Sequence, residues 1–136
     1  MKDEEEKQPE DLRLRTKEFA LRIIRLYGAL PKTTEAQVIG KQVLRSGTSI
    51  GANYREAYRA RSDAEFVAKI GDCLKELDET AYWIELLDDS GIVPSAKLAA
   101  LAGETNQLIA IFTTIAKRVR GRLRETPIDY STESEE

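Results

Sequence analysis

The chain has 136 residues, 41% hydrophobic and 33% charged, enough to bury one modest core and not two. Its lone cysteine, Cys73, excludes a disulfide framework within one chain, and no apolar run approaches the roughly 20 residues that cross a bilayer. The charged start "MKDEEEKQPEDLR" has no signal-peptide pattern, so the expected location is cytoplasmic, with no membrane partner.

The formal net charge of −3 conceals a segregation. Residues 1–11 carry six acids against two lysines, and residues 125–136 carry five acids and no base. The body between them, residues 12–124, holds 19 bases and 13 acids, a net of +6. Both acidic tails have too little apolar surface to offset the cost of ordering and are expected to be disordered. Beside a basic body they could screen it, or compete with an anionic partner.

Helical periodicity runs through the body. Phe19, Ile23, Leu26 and Leu30 recur at spacings of four, three and four, widened by Ala20 and Tyr27, which predicts an amphipathic helix over 12–29. Pro31 disfavours helical geometry at Leu30, and Thr33 or Thr34 can cap the next helix.

The second helix, 35–60, contains "RSGTSIGANYREAYRARS", which looks at first like a phosphate loop. A phosphate loop needs a preceding strand and a lysine next to Ser or Thr after the last glycine, and neither is present. On a helical wheel, Ile39, Val43, Leu44, Gly47, Ile50, Gly51, Tyr54, Ala57 and Tyr58 share one arc. A helical glycine costs about 1 kcal/mol relative to alanine, so two on a buried face imply a compensating gain, close approach of a neighbouring helix.

The third helix, 63–89, opens with a capping-box pattern, Ser62 and Glu65, and carries a seam of Phe66, Ile70, Cys73, Leu77, Thr80 or Ala81, Ile84 and Leu87. Gly91 suits a left-handed cap and Pro94 the next helix start. The fourth, 95–124, repeats a heptad-like seam through Leu98, Leu101, Thr105, Leu108, Phe112, Ile115 and Val119, which favours a shallow crossing angle.

Two charged stripes flank these seams. Lys41, Arg45, Thr48, Ala52, Arg55 and Arg59 line one edge of the second helix, and Lys69, Asp72, Glu76, Glu79 and Trp83 one edge of the third. Such ladders pair along antiparallel helices of one chain, face water, or line a subunit interface. Trp83 lying off the core seam favours the interface. Gly47, Gly51, Arg45, Tyr54, Asp72, Glu76, Glu79 and Trp83 are therefore the candidate helix-packing or oligomer-interface residues.

The segments "LRSGTSIGANYREAYRARSDAEFVAKI" and "CLKELDETAYWIELL" closely resemble the bacterial four-helix bundle family first noticed in intervening sequences of 23S ribosomal RNA genes. The resemblance spans roughly residues 15–120 and implies an all-α, antiparallel up-down-up-down four-helix bundle assembled as a ring-shaped homopentamer. A related branch is the accessory protein of diversity-generating retroelements, which binds nucleic acid and a reverse transcriptase. No catalytic residue is carried over by it.

In such a topology, Arg13, Arg15 and Lys17, then Arg55, Arg59 and Arg61, then Lys117, Arg118, Arg120, Arg122 and Arg124 fall at one end. Cations near helix C-termini are partly explained by the helix dipole. Repeated around a ring they would form a basic rim for the backbone of RNA or DNA, bound without base readout. The alternative is a protein–protein scaffold ring with no nucleic-acid binding. No histidine exists for acid–base or zinc chemistry, so no enzyme, cofactor or metal is expected. Asp72, Glu76 and Glu79 could hold a hard cation, yet their spacing is equally that of a paired or solvated face.

Overall fold

The computed structural model describes the backbone of residues 2–125 and the side chains of residues 11–124. It contains four helices, α1 (Lys2–Ala29), α2 (Thr34–Tyr58), α3 (Asp63–Asp89) and α4 (Ser95–Glu125), with no strand among the described residues. The second helix ends two residues short of the expected 60, and the C-terminal acidic tail from 126 onward lies outside the described residues. The larger difference is at the start. Helix α1 begins at Lys2, not at residue 12, so the acidic segment expected as a disordered tail continues the rod. Helix propagation is cheap once a nucleus is packed, Glu and Lys are good helix formers, and acids suit the positive end of the helix dipole.

Local chemistry sets the breaks. Thr33 caps α2, accepting from Ala36 N at 3.3 Å, and Ser62 caps α3, accepting from Glu65 N at 3.0 Å. The Glu65 carboxylate accepts from Arg61 N at 3.0 Å, one residue before the position used in a regular capping box. Past α3, Gly91 has φ +77°, and the amides of Gly91 and Val93 turn back to donate to the Asp88 and Leu87 carbonyls. Ser95, opening α4, donates its hydroxyl to the Asp88 carboxylate.

Successive helices are antiparallel neighbours, α1 on α2, α2 on α3 and α3 on α4. The core is the predicted seams: Phe19 and Ile23, Val43 and Ile50, Ile70 and Leu77, Leu98, Leu108 and Phe112 are all essentially inaccessible to solvent. Each such side chain contributes about 1.5–3 kcal/mol by leaving water. Polar groups also sit inside. The hydroxyls of Ser46 and Thr80 lie 2.8 Å apart between α2 and α3, and Thr16, fully buried, donates to the Leu12 carbonyl at 2.7 Å.

The glycine stretch of α2 is unbroken helix, and its glycines lie against α1. A β carbon at Gly47 would sit 2.7 and 2.9 Å from Ile23 Cγ1 and Cγ2, and one at Gly51 3.2 Å from Thr16 Oγ1. Gly40, which no sequence pattern marks, does the same against Leu30 and Tyr27, at 2.5 and 3.0 Å. The close approach is thus made within one chain. Helix α4 is long and apolar enough by length and composition to cross a bilayer, although charged residues such as Lys97, Glu104 and Lys117 interrupt it and leave no unbroken apolar run of that length. In the bundle, Leu98, Leu101, Leu108, Phe112 and Val119 of this helix are buried, while most of its apolar window is not.

Candidate nucleic-acid interface

One end of the bundle gathers the last turn of α2, the first turn of α3 and the last turns of α4. Lys69 reaches Glu56 and Arg122 reaches Asp63 across this end, at 2.6 and 3.5 Å. Arg55, Arg59 and Arg61 leave the end of α2 exposed, and Arg118, Arg120 and Arg124 leave the end of α4 exposed. No ion pair engages these six guanidinium groups among the described residues. Because α1 starts at Lys2, Arg13 and Arg15 stand well inside that helix rather than in its first turns.

Two of the nine candidate arginines are committed elsewhere. Arg15 crosses from α1 to α4, donating from Nε and Nη2 to the Glu104 carboxylate at 2.7 and 3.0 Å and from Nη2 to Gln107 at 2.8 Å. The hydrogen bond to Glu104 raises the pKa of Arg15 and lowers that of Glu104. Arg122 is drawn to Asp63. Arg13 is half-buried and holds its guanidinium 4.8 Å from the centre of the Tyr58 ring, a cation–π contact.

The helical wheel puts Tyr58 on the apolar arc, yet it is 46% exposed. It falls in the final turn of α2, where the core ends. With Phe66 it walls a cleft of about 290 Å³ whose rim carries Arg61 and Arg122. The only sequence signal for this is the alternation of aromatic and basic residues in "YREAYRARS".

The candidate interface residues have separate fates. Gly47 and Gly51 face α1, and Tyr54 is buried with its ring 5.5 Å from that of Phe112. Burial pushes the Tyr54 hydroxyl and the Cys73 thiol each up to about 12. Arg45 donates to Glu76 at 3.3 Å and to Glu79, so this part of the ladder pairs across α2 and α3 of one chain. Exposed pairs of this kind contribute about 0–1 kcal/mol each. Asp72 is exposed beside them. Trp83 packs partly on the core, edge-on to the exposed Tyr82 at 5.0 Å, and its buried Nε1 has no acceptor among the described residues. Among the same residues no three potential metal ligands converge.

Comparison with known proteins agrees with this architecture. A family model described as 23S rRNA-intervening sequence protein matches residues 11–114. A crystal structure of a protein of unknown function from the S23 ribosomal protein family of Bacteroides thetaiotaomicron is 38% identical. The match covers 80% of this chain and 97% of that one, with a TM-score of 0.75. No curated protein matches the chain.

Proposed function

Since the chain belongs to the 23S rRNA-intervening sequence protein family, we propose that it is a non-enzymatic, self-assembling four-helix module that binds RNA or DNA through its basic end without reading sequence. The observation that carries this reading is the state of the arginines. Arg15 and Arg45, on the flanks of the bundle, each hold a carboxylate of the same chain. Arg55, Arg59, Arg61, Arg118, Arg120 and Arg124 converge on one end with no such partner among the described residues. Unneutralised guanidinium groups are suited to phosphate, and several together release several counterions.

Self-assembly is supported by apolar surface that the bundle leaves uncovered. Leu14, Leu21 and Ile24 lie at helical spacing on α1 and are 54%, 42% and 48% exposed. A second copy on that stripe would bury it, and the family resemblance suggests a ring of five. Each copy then repeats the basic end, so weak phosphate contacts multiply. A cytoplasmic location, and a nucleic-acid enzyme such as a reverse transcriptase as further partner, belong to the same reading. The runner-up is a protein scaffold ring, favoured by the α1 stripe alone.

Titration of a labelled RNA against salt tests the proposal. Affinity falls log-linearly with salt, and reversing Arg118, Arg120 and Arg124 to Glu lowers the slope by about 0.7–0.9 for each phosphate no longer engaged. No binding at about 50 mM salt, or a slope unchanged by the reversals, refutes it.

A further inference from the structure

Guanidinium groups alone accept a duplex and a single strand on similar terms, because both present phosphates. The basic end offers something more. Tyr58 keeps 46% of its surface in solvent, although an amphipathic helix ordinarily turns a tyrosine on its apolar arc inward. The ring is held in place by Arg13, 4.8 Å from its centre, and by the Tyr54 ring at 6.5 Å, which in turn rests on Phe112. It is therefore a positioned aromatic surface, not a loose side chain.

Beside it lies the cleft of about 290 Å³, at the small end of ligand-sized recesses, walled by Tyr58 and Phe66 and rimmed by Arg61 and Arg122. We infer that this cleft takes an unpaired base, stacked on Tyr58, so that the basic end prefers single-stranded to double-stranded nucleic acid. This inference rests on the nucleic-acid reading above and names its substrate class. A base inside a duplex is stacked on its neighbours and has no free face to offer, whereas a single strand can place one base in the cleft while its phosphates meet Arg59 and Arg61. Asp63, on the same cleft, neutralises Arg122, which leaves Arg61 as the rim cation without an ion-pair partner among the described residues. Stacking uses a π-face common to every base, so it adds strand preference without sequence preference.

Fluorescence anisotropy with a labelled single-stranded RNA and a duplex of equal length tests this on the full chain. The wild-type protein is expected to bind the single strand more tightly. Tyr58→Ala should weaken single-strand binding about 5- to 150-fold, the range for losing one stacked base, and leave duplex binding and its salt slope unchanged. Tyr58→Phe, which keeps the ring, should retain the preference. Equal wild-type affinity for the two probes overturns the inference and leaves the phosphate-binding reading standing, even if the alanine variant fails to fold. A full single-strand preference in a folded Tyr58→Ala also overturns it. No binding of either probe overturns both readings.

Discussion

Replacing Gly47 with alanine adds one methyl group to a helix and would ordinarily stabilise it by about 0.5–1 kcal/mol. Here the added carbon would lie 2.7 Å from Ile23 Cγ1, 2.9 Å from Cγ2 and 3.1 Å from Cδ1. The first two are bonded directly to the β carbon of a β-branched residue, which in a helix keeps one χ1 rotamer, so they cannot swing aside. Either α1 moves away or its core side chains distort, and overpacking of this kind costs about 1–3 kcal/mol. The net expectation is destabilisation, by up to about 2.5 kcal/mol. Gly103, in the body of α4, provides the control, because a β carbon there would meet nothing within 4 Å. Gly103→Ala should gain the full helix-propensity increment, so the two variants should move urea midpoints in opposite directions at constant slope. Removing the obstacle with Ile23→Ala should make a subsequent Gly47→Ala neutral or favourable, a coupling that a double-mutant cycle reads directly. If Gly47→Ala stabilises the wild type as much as Gly103→Ala does, the close approach of α1 and α2 is wrong.

The ion pair of Arg15 and Glu104 predicts a pH dependence. Glu104 has its pKa lowered by Arg15, so its contribution is present above the ordinary carboxylate pKa and is lost as pH falls through the lower folded value. Glu104→Gln should cost about 0.5–1.5 kcal/mol near neutrality and flatten the acid limb of the stability curve, as read by urea unfolding from about pH 7 downward. Thr80→Val removes a hydroxyl from the buried pair with Ser46 and should cost about 1–3 kcal/mol, because Ser46 loses that partner; an unchanged melting temperature would contradict it. Cys73 is buried, with its thiol pushed up to about 12, so a thiol reagent at about pH 8 should label it only on unfolding; rapid stoichiometric labelling of the native protein would contradict that. Leu21→Glu with Ile24→Lys should lower the mass measured by light scattering while helical circular dichroism is kept, if the α1 stripe joins copies.

Much of this fold is legible because burial recurs at the period of a helix: Ile70, Cys73, Leu77, Thr80, Ile84 and Leu87 read as one seam, and all are buried. The caps at Thr33 and Ser62 are readable because their chemistry is local. The start of α1 is not, since a run of Glu and Lys has no recurring apolar residues to mark it as helix. Gly40 escapes notice because the residues that make it necessary, Leu30 and Tyr27, lie across the loop at the end of the preceding helix. The opposite signs of Arg45 and the Glu76 and Glu79 pair are visible, but a wheel carries no information on whether partners belong to one chain or two. Tyr58 is misjudged for a related reason: a wheel has no ends, and Tyr58 is the last residue of α2, next to the last buried position, Ala57.

The glycines of α2 also act as a key. They stand at intervals of seven and then four residues, opposite Ile23 and Thr16 of α1 and Leu30 just past its end. Sliding one rod past the other by one turn or two, in either direction, leaves at least one of those three facing a side chain instead of a hydrogen atom. An evenly spaced groove would have allowed several alignments of nearly equal energy. The uneven one favours a single alignment, so the stagger of the first hairpin is written into its own side chains and does not depend on α3 or α4.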